Sequence, residues 1–279
     1  MGSNINISPI GVFDSGYGGL TILKELIAQL PGYDFMYLGD NARSPYGSRS
    51  FNVVYHYTLE AVNKLFDSGC PLVILACNTS SAKALRTIQQ KDLQSLAPNN
   101  RVLGVIRPTA EIVEKYTSTN HIGILGTPGT IASESYLLEI RKLSPHLAVL
   151  QEACPMWVPL VENDEYLNEG ADYFIKKNIY SLLSKDPRID AIILGCTHYP
   201  LLINSIMKFI PSHVKIISQD IIVARSLADY LIRHPEIDSR ITRNGNHIFC
   251  TTDSVELFEK RGSIFFGKSF KAEQIVLQG

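Results

Sequence analysis

Short apolar segments recur through the whole chain, and they constrain the fold more than any other feature. Their residues are mostly valine, isoleucine and leucine and scarcely alternate with polar ones, which is typical of parallel strands covered on both faces. The pattern predicts eight strands, at residues 10–13, 35–38, 72–76, 102–106, 121–125, 191–194, 214–217 and 247–250.

Amphipathic helices are predicted between these strands. Leu20, Leu23 and Ile27 lie on one apolar stripe at helical spacing, and Pro31 follows the end of that helix. Four more helices are predicted around residues 54–66, 137–142, 174–183 and 200–206. The alternation of strands and helices predicts an α/β fold with mainly parallel sheets.

The chain contains an internal repeat. The segment IGVFDSGYGG from Ile10 has a counterpart in IGILGTPGT from Ile122, and LVILACNTS from Leu72 has one in AIILGCTHY from Ala191. In both halves a strand with a glycine-rich turn comes first, and a strand followed by a cysteine comes second. We expect two pseudo-symmetric α/β halves with a cleft between them, because ligands bind beyond the carboxyl ends of strands in open α/β sheets.

The five cysteines differ in their settings. Their odd number and the lack of a CxxC pair argue against a disulfide framework and a zinc ribbon, and the histidines show no metal-binding spacing. Cys77 and Cys196 each follow a predicted strand and precede small polar residues that favour helix N-termini. Cys70, Cys154 and Cys250 have no such setting and are interpreted as structural.

Cys77 and Cys196 are therefore candidates for chemistry. The free backbone N–H groups at a helix N-terminus stabilise a thiolate. His198 is in addition a candidate proton partner for Cys196. The polar residues that follow the two cysteines are Asn78, Thr79, Thr197 and His198.

The turn FDSGYGG after the first strand lacks the GxxxxGK[ST] and GxGxxG patterns of nucleotide-binding loops. Its Asp14 and Ser15 are candidates for hydrogen bonds to a small polar substrate, and Asp14 is alternatively a partner of Cys77. Thr127 and Thr130 lie in the matching turn of the second half.

A second polar loop, GDNARSPYG, follows the second predicted strand. Its Tyr46 and Gly47 are candidates to line the cleft. Arg43 is either a clamp for a substrate carboxylate or one half of a surface ion pair. Glu162, which ends an apolar run, is either an acid near the site or a charge at a helix N-terminus.

Composition excludes several functional classes. The chain has 279 residues, 45% of them apolar, and a net charge of -1, so a large core is expected and a nucleic-acid or polybasic membrane surface is not. No apolar run approaches the roughly 20 residues that span a bilayer. The start, MGSNINISPI, lacks the features of a signal peptide, and we expect a cytoplasmic protein.

Five motifs occur in order between Ile10 and Leu202: FDSGYGGLTILKEL, YLGDNARSPYG, LACNTSSA, ACPMWVPLVE and LGCTHYPLL. A weaker match follows in TTD at Thr251. Together they resemble the bacterial glutamate racemases of the cofactor-independent aspartate/glutamate racemase superfamily.

The resemblance implies an isomerase with no cofactor and no metal that interconverts L- and D-glutamate and supplies D-glutamate for peptidoglycan. Its partner would be this small-molecule substrate, with no nucleic acid and no membrane, and its assembly a homodimer. The resemblance also implies two α/β domains with the active site between them. We expect one domain at residues 1–105 and 218–279 and the other at residues 106–217.

The resemblance assigns the catalytic roles to Cys77 and Cys196. Cys77 would take the α-proton from D-glutamate and Cys196 from L-glutamate, and a modest lowering of a thiol pKa from about 8.5 would prepare the base. Asp14 and His198 are candidates for tuning the thiols. The implied substrate contacts are Asp14, Ser15, Tyr46, Gly47, Asn78, Thr79, Thr130, Thr197 and His198, with Asp40 and Glu162 in support.

The chain departs from the family pattern beside these motifs. Asn41 stands where the family often has Thr, Ser44 where it often has Val, and Arg107 where an acid is common. These departures do not affect the cysteine pair, and the sequence does not decide whether an effector regulates the protein.

Three other functions stay open from the residues. A related two-cysteine racemase would act on aspartate or another amino acid and would differ in the size of its cleft. A thiol hydrolase would use Cys196 as nucleophile and His198 as base, but leaves Cys77 without a role. A two-lobed amino-acid-binding protein would have no need of paired cysteines.

Overall fold

The computed structural model describes residues 7–277, in which ten strands form two sheets. The strands are β1 (Ile10–Asp14), β2 (Phe35–Gly39), β3 (Leu72–Leu75), β4 (Arg101–Gly104), β5 (His121–Gly126), β6 (Ala148–Ala153), β7 (Ala191–Gly195), β8 (Lys215–Ile217), β9 (His247–Thr251) and β10 (Glu273–Gln274). The first sheet has the order β10-β9-β2-β1-β3-β4 and the second the order β6-β5-β7-β8. All neighbouring strands are parallel.

Helices connect the strands. The α-helices are α1 (Leu20–Gln29), α2 (Phe51–Asp67), α3 (Asn78–Lys83), α4 (Leu85–Thr87), α5 (Leu93–Leu96), α6 (Ile106–Ile112), α7 (Pro128–Ala132), α8 (Ser135–Leu143), α9 (Trp157–Glu162), α10 (Glu169–Lys185), α11 (Ile203–Phe209), α12 (Asp220–Arg233), α13 (Pro235–Asp238) and α14 (Val255–Phe266). Turns of 3-10 helix lie at Asn41–Arg43, Val113–Tyr116 and Tyr199–Leu202, and a π-helical turn at Ile88–Asp92.

The two sheets share one topology. In the first, β1 lies between β2 and β3, and β4 pairs with β3. In the second, β5 lies between β6 and β7, and β8 pairs with β7. The repeat in the sequence falls on equivalent strands, because β1 and β5 carry the glycine-rich turns and β3 and β7 precede the cysteines. The predicted α/β fold with two similar parallel sheets is confirmed.

The eight predicted strands are all present, with small differences at their ends. The clearest error is the segment 102–106, because its strand ends at Gly104 and Ile106 begins α6. Two strands escaped prediction. β6 is half-exposed along its length and carries Gln151 and Glu152, so it lacks the continuous apolar pattern of a buried strand, and β10 has two residues only.

The predicted helices are present as α1, α2, α8 and α10, and the fifth as α11. A 3-10 turn with Pro200 in its first positions precedes α11, which begins at Ile203. The sequence patterns left α12 and α14 unassigned. Leu227 and Leu231 of α12 are buried in the core, and α12 packs against α1.

The central strands of both sheets form the buried core. Every residue of β1, β2, β3 and β7 is buried, as expected for parallel strands with helices on both faces. Within residues 7–277, no helix has the length and apolar character needed to cross a membrane. Residues 1–6, which carry most of the segment judged to lack signal-peptide features, lie outside the described residues.

Asp34 ties the returning C-terminal segment to the start of β2. Its fully buried carboxylate accepts hydrogen bonds from Thr242 Oγ1 (2.5 Å), Asn244 Nδ2 (2.9 Å) and the backbone N–H groups of Asn244 (3.1 Å) and Asn246 (2.7 Å). Burial alone raises the pKa of Asp34, but these donors outweigh it and leave the pKa below its usual value. The segment leading into β9 is therefore fixed by an ionised carboxylate.

Asp34→Ala is expected to lower the free energy of unfolding by about 2–4 kcal/mol, because it removes the buried acceptor of four partly buried hydrogen bonds. Urea denaturation of wild type and variant measures this loss. Since the folded-state pKa is lowered, the contribution is present above about pH 4 and disappears as the pH falls through the lowered pKa. The exposed control Asp67→Asn should change stability by less than about 0.5 kcal/mol. Equal stability of Asp34→Ala and wild type at pH 7 would contradict this role.

Candidate active site

Loops at the carboxyl ends of both sheets meet around one small cavity of about 20 Å³. Cys77 reaches it from the first sheet and Cys196 from the second, so the two predicted cysteines face one space. The lining residues are Ser15, Pro45, Tyr46, Gly47, Cys77, Asn78, Thr79, Thr127, Val158, Glu162, Cys196, Thr197 and His198. Among the predicted site residues, Asp14, Asp40 and Thr130 are fully buried behind this lining.

Cys77 is itself the N-cap of α3. Its Sγ accepts a hydrogen bond from the backbone N–H of Ser80 at 3.5 Å, and its thiol donates to Ser15 Oγ at 3.4 Å. Burial and the nearby Asp14 carboxylate raise the pKa of Cys77, although the contacts with Ser15 and Ser80 act in the opposite direction. The predicted lowering of the thiol pKa is therefore wrong at Cys77. Burial raises this pKa by more than the N-terminus of the short helix α3 lowers it.

Cys196 has a different setting from the one expected. The turn after it is 3-10 helix with no side-chain cap, because the chain turns through Pro200 before α11 begins. Cys196 Sγ instead lies 3.9 Å from His198 Nδ1, and His198 Nε2 lies 3.1 Å from Glu162 Oε1. A chain of polar contacts thus leads from the thiol through an imidazole to a carboxylate, which identifies Glu162 as an acid near the site.

His198 and Glu162 form a buried ion pair. Burial by itself lowers the pKa of His198, but the contacts with Cys196 and Glu162 outweigh it and raise this pKa well above its usual value. Burial likewise opposes ionisation of Glu162, yet His198, Ser44 and Arg261 hold the pKa of Glu162 below its usual value. Both shifts favour the charged forms, a protonated His198 and an ionised Glu162, beside Cys196 Sγ.

Asp14 connects the first sheet to the turn after Cys196. Its Oδ1 accepts from the backbone N–H of Gly16 at 2.9 Å, and its Oδ2 accepts from Thr197 Oγ1 at 3.3 Å. Burial raises the pKa of Asp14, and the nearby His198 partly counters this. Gly18 permits the close approach, since a Cβ there would lie 2.2 Å from Thr197 Oγ1.

A cluster of threonine hydroxyls closes the opposite wall. Thr79 Oγ1 lies 3.0 Å from Thr127 Oγ1 and 3.3 Å from Thr130 Oγ1. Beside them, the backbone N–H of Gly129 donates to the carbonyl of Gly47 at 2.7 Å. Thr79 and Thr127 line the cavity, whereas Thr130 lies behind them.

Asn78 offers an unused donor. Its Oδ1 accepts from the hydroxyl of Tyr136 at 2.6 Å, which fixes the orientation of the amide. Its buried Nδ2 has no hydrogen-bond partner among residues 7–277. Because a buried unpaired donor is unfavourable and Asn78 lines the cavity, this amide is suited to bind an acceptor such as a carboxylate.

Asp40 holds the Tyr46 loop in place. Its carboxylate accepts from the Tyr46 hydroxyl, from Arg43 Nε at 2.7 Å and from Thr252 Oγ1 at 2.8 Å. Arg43 also pairs with Glu60 at 2.5 Å. Arg43 is therefore engaged in an ion-pair network and is not a free clamp for a substrate carboxylate, while Tyr46 reaches the cavity as predicted.

The other three cysteines, Cys70, Cys154 and Cys250, are buried and do not line the cavity. Burial raises the pKa of Cys70 to about 12 and raises those of Cys154 and Cys250 as well. These buried, protonated thiols fit the structural interpretation. Across residues 7–277, the His, Cys, Asp and Glu side chains form no cluster suited to a metal ion.

A larger cavity of about 550 Å³ lies elsewhere, between α3, α4, α6, α8 and α12. Neither Cys77 nor Cys196 lines it, and the guanidinium groups of Arg86 and Arg107 there are paired with Glu139 and Glu111. Size alone does not identify a reaction site; converging polar groups with shifted pKa values do. We therefore assign the chemistry to the smaller cavity.

Sequence reasoning placed Thr127 in the matching turn but did not assign it to the site, and it did not identify Arg261 or Phe265. Thr127 occupies the place in the repeat that Ser15 has in the first half, so the repeat itself contained the signal. Arg261 and Phe265 of α14 approach the ion pair from a distant part of the chain, and the Phe265 ring lies 5.3 Å from the His198 ring. No local motif marks these two residues.

Glu162→Gln is expected to lower the pKa of His198 by about 1–3 units, because it removes the carboxylate that stabilises the imidazolium. NMR titration of the histidine ring signals measures the shift. The exposed control Glu169→Gln at the start of α10 should leave the His198 titration unchanged. A His198 titration that is identical in wild type and Glu162→Gln would contradict the ion pair.

Comparison with known proteins identifies the family of the chain. The sequence profile of the family described as Asp/Glu/Hydantoin racemase matches residues 10–225. A glutamate racemase from Streptococcus agalactiae is 38% identical over 272 residues, covering 96% of this chain and 98% of that protein.

Two solved structures have the same fold. A glutamate racemase isoform from Bacillus anthracis has a TM-score of 0.87 and 37% identity, with 97% of this chain and 98% of that one covered. The glutamate racemase from Francisella tularensis, solved in complex with D-glutamate, has a TM-score of 0.85 and 33% identity, with 98% and 99% covered. The chain therefore belongs to the Asp/Glu/hydantoin racemase family and, within it, to the glutamate racemases.

Proposed function

We propose that the protein racemises glutamate with two cysteines, Cys77 and Cys196, one of which removes the α-proton as a thiolate while the other returns a proton as a thiol. The observation that carries the proposal is that both sulfurs face one cavity from two equivalent strands, β3 and β7. A racemase must remove a proton from one face of a carbon and return one to the other. Two acid/base groups on opposite sides do this without turning the substrate over.

The chemistry needs one thiolate and one thiol at a time. The thiolate takes the α-proton, the electron pair of the broken C–H bond moves into the α-carboxylate, and the other thiol then gives its proton to the opposite face. Cys77 takes the proton from D-glutamate and Cys196 from L-glutamate. Each turnover leaves the first sulfur as a thiol and the second as a thiolate, which is the state that the reverse reaction needs. Proton exchange with solvent restores the starting state, and no atom is oxidised or reduced.

The surrounding polar groups suit the stabilisation of the carbanion. The free Nδ2 of Asn78 and the hydroxyls of Thr79 and Thr127 are donors fixed in a buried setting, where hydrogen bonds to developing charge are strong. Of the predicted substrate contacts, we assign direct contact to those that line the cavity, which are Ser15, Tyr46, Gly47, Asn78, Thr79, Thr197 and His198, and a supporting role to Glu162. Asp14, Asp40 and Thr130 act in this proposal through the cavity residues that they contact.

The cavity of about 20 Å³ has room for about one water molecule and is much smaller than an amino acid. We therefore infer that the loops after β2 and β5 separate to admit glutamate and close again around it. Closure excludes water from the carbanion and strengthens each hydrogen bond to it.

The wider setting follows from the family resemblance. We propose that the D-glutamate is used for peptidoglycan, that the enzyme works in the cytoplasm and that it is a homodimer. We also propose domain boundaries at residues 105/106 and 217/218, because strands β1–β4, β9 and β10 form one sheet and β5–β8 the other. Light scattering of the purified protein tests the dimer.

Two alternatives lead to different products. A racemase for aspartate or another amino acid would exchange the α-proton of that substrate faster than that of glutamate. A thiol hydrolase built on Cys196, His198 and Glu162 would form an acyl enzyme and would not need Cys77. The long 3.9 Å contact between Cys196 and His198, together with the second thiol in the cavity, favours the racemase.

In D₂O and without pyridoxal phosphate, either enantiomer of glutamate is expected to lose optical activity and to gain deuterium at Cα. Polarimetry or circular dichroism follows the first change and NMR the second. Parallel incubations with L- and D-aspartate test the alternative substrate. Absence of exchange from both glutamate enantiomers would rule out the proposed function.

Cys77→Ser and Cys196→Ser are each expected to reduce racemisation by at least about 100-fold, because each removes the acid/base group from one face. Initial rates in both directions measure the loss. Cys70→Ala, in a buried thiol outside the cavity, is the matched control and should keep most of the activity. Full activity of Cys196→Ser would mean that a two-thiol mechanism is wrong.

Asn78→Ala is expected to lower kcat/KM for glutamate by about 10–100-fold, because a hydrogen bond to a charged carboxylate is lost. Tyr136→Phe keeps the amide but removes the hydroxyl that orients it, and it is expected to cause a smaller loss. A comparable loss in Tyr136→Phe would indicate a structural effect, and no loss in Asn78→Ala would exclude this substrate contact.

A further inference from the structure

Ser44 makes a polar contact between the loops of the two sheets. It lies between β2 and α2, directly before the cavity residues Pro45, Tyr46 and Gly47. Its Oγ donates to Glu162 Oε1 at 3.2 Å, and Glu162 ends α9, beyond β6 of the other sheet. The hydrogen bond therefore forms only when the Tyr46 loop and α9 are close together.

The contact meets the ion pair beside Cys196. Glu162 Oε1 accepts from Ser44 Oγ and lies 3.1 Å from His198 Nε2, so one oxygen serves both partners. His198 Nδ1 in turn faces Cys196 Sγ. Ser44 is thus the outer end of a chain of four residues that leads to a catalytic sulfur.

The hydrogen bond is sheltered by the glycine-rich turn. A Cβ on Gly16 would lie 3.2 Å from Ser44 Oγ and 3.6 Å from Glu162 Oε1, so the Gly16 backbone covers the pair. The hydroxyl of Tyr37 donates to the carbonyl of Gly16 at 2.8 Å and fixes this turn. A hydrogen bond in such a setting is stronger than one exposed to water.

Charged groups approach the pair from several elements. Arg261 of α14 faces Glu162 and helps to lower its pKa. Asp14 of β1 and Cys196 face His198. Ser44 differs from all of these, because it is a neutral donor on the loop that we infer to open for substrate entry.

We propose that Ser44 is a positioning residue for the proton transfer at Cys196, and that its hydroxyl couples closure of the Tyr46 loop to the orientation of His198. The inference rests on the proposed racemase function. In the closed state the Ser44 hydroxyl fixes the Glu162 oxygen that holds His198 Nε2. When the loop opens to admit glutamate, that donor is withdrawn, and the ring of His198 loses one of its constraints.

The test uses Ser44→Ala, Ser44→Thr and the exposed control Ser48→Ala on the same loop. Ser44→Ala removes the donor and Ser44→Thr keeps it. Steady-state racemisation of L- and D-glutamate is measured for each protein between about pH 5 and 9, and thermal unfolding checks that each is folded. Racemisation by wild type tests the proposed function, and the comparison of variants tests Ser44.

We expect Ser44→Ala to lower kcat by about 3–10-fold, with a smaller change in KM. A donor to a carboxylate lowers its pKa, so its removal raises the pKa of Glu162. The acidic limb of the kcat profile should therefore move upward by about half a pH unit, because Glu162 is protonated earlier as the pH falls. Ser44→Thr should restore both values, and Ser48→Ala should match wild type.

Unchanged kcat and pH profile in Ser44→Ala would overturn the inference. A Ser44→Thr variant as impaired as Ser44→Ala would also overturn it, because packing and not the hydroxyl would then matter. If wild type does not racemise glutamate, the His198 NMR titration still tests the link. We expect Ser44→Ala to raise the pKa of His198, and an unchanged titration would refute the coupling.

Discussion

Buried hydrogen bonds that cross between the two parallel sheets are the interaction on which the site depends. Thr197 donates to Asp14 on one side of the cavity, and Thr79 contacts Thr127 on the other. Each bond joins a residue at the carboxyl end of one sheet to a residue at the carboxyl end of the other. A buried polar group without a partner is unfavourable by about 1–3 kcal/mol, so these pairs favour one closed arrangement over looser ones. That arrangement is what brings two thiols from separate strands to one cavity.

The two thiols are equivalent in topology but different in chemistry. Burial and Asp14 raise the pKa of Cys77, whereas Cys196 faces the ring of His198, which Glu162 holds on its other side. In the aligned repeat, His198 occupies the place of Thr79, and this position is one source of the difference. The duplicated fold supplies the symmetry that proton transfer across a carbon needs. The substitution at that position makes the two half-reactions chemically distinct.

Much of this site could be predicted from the sequence, and the reasons are local. A cysteine directly after a buried strand must lie at the carboxyl edge of a parallel sheet, and that rule placed Cys77 and Cys196 correctly. Local rules failed where the outcome depended on tertiary surroundings. The raised pKa of Cys77 results from burial, which no sequence motif reveals. The sequence left Arg43 as either a substrate clamp or an ion-pair partner, and only its contacts with Asp40 and Glu60 decide between the two. The half-exposed edge strand β6 lacked the apolar pattern that marked its neighbours.

Closure and substrate binding use the same polar groups. The closed cavity is too small for glutamate, so the contacts between the loops must part for binding. Thr79 and Thr127 hydroxyls, now bonded to each other, are donors of the kind that a carboxylate accepts, and glutamate can therefore replace the contacts that its entry breaks. Opening then exchanges one set of hydrogen bonds for another at small net cost. The Ser44–Glu162 hydrogen bond is different. The Glu162 carboxylate needs a donor, and the carboxylates of glutamate are acceptors that cannot replace the Ser44 hydroxyl. It can re-form only when the loop returns, which makes it a sensor of closure rather than a substrate contact.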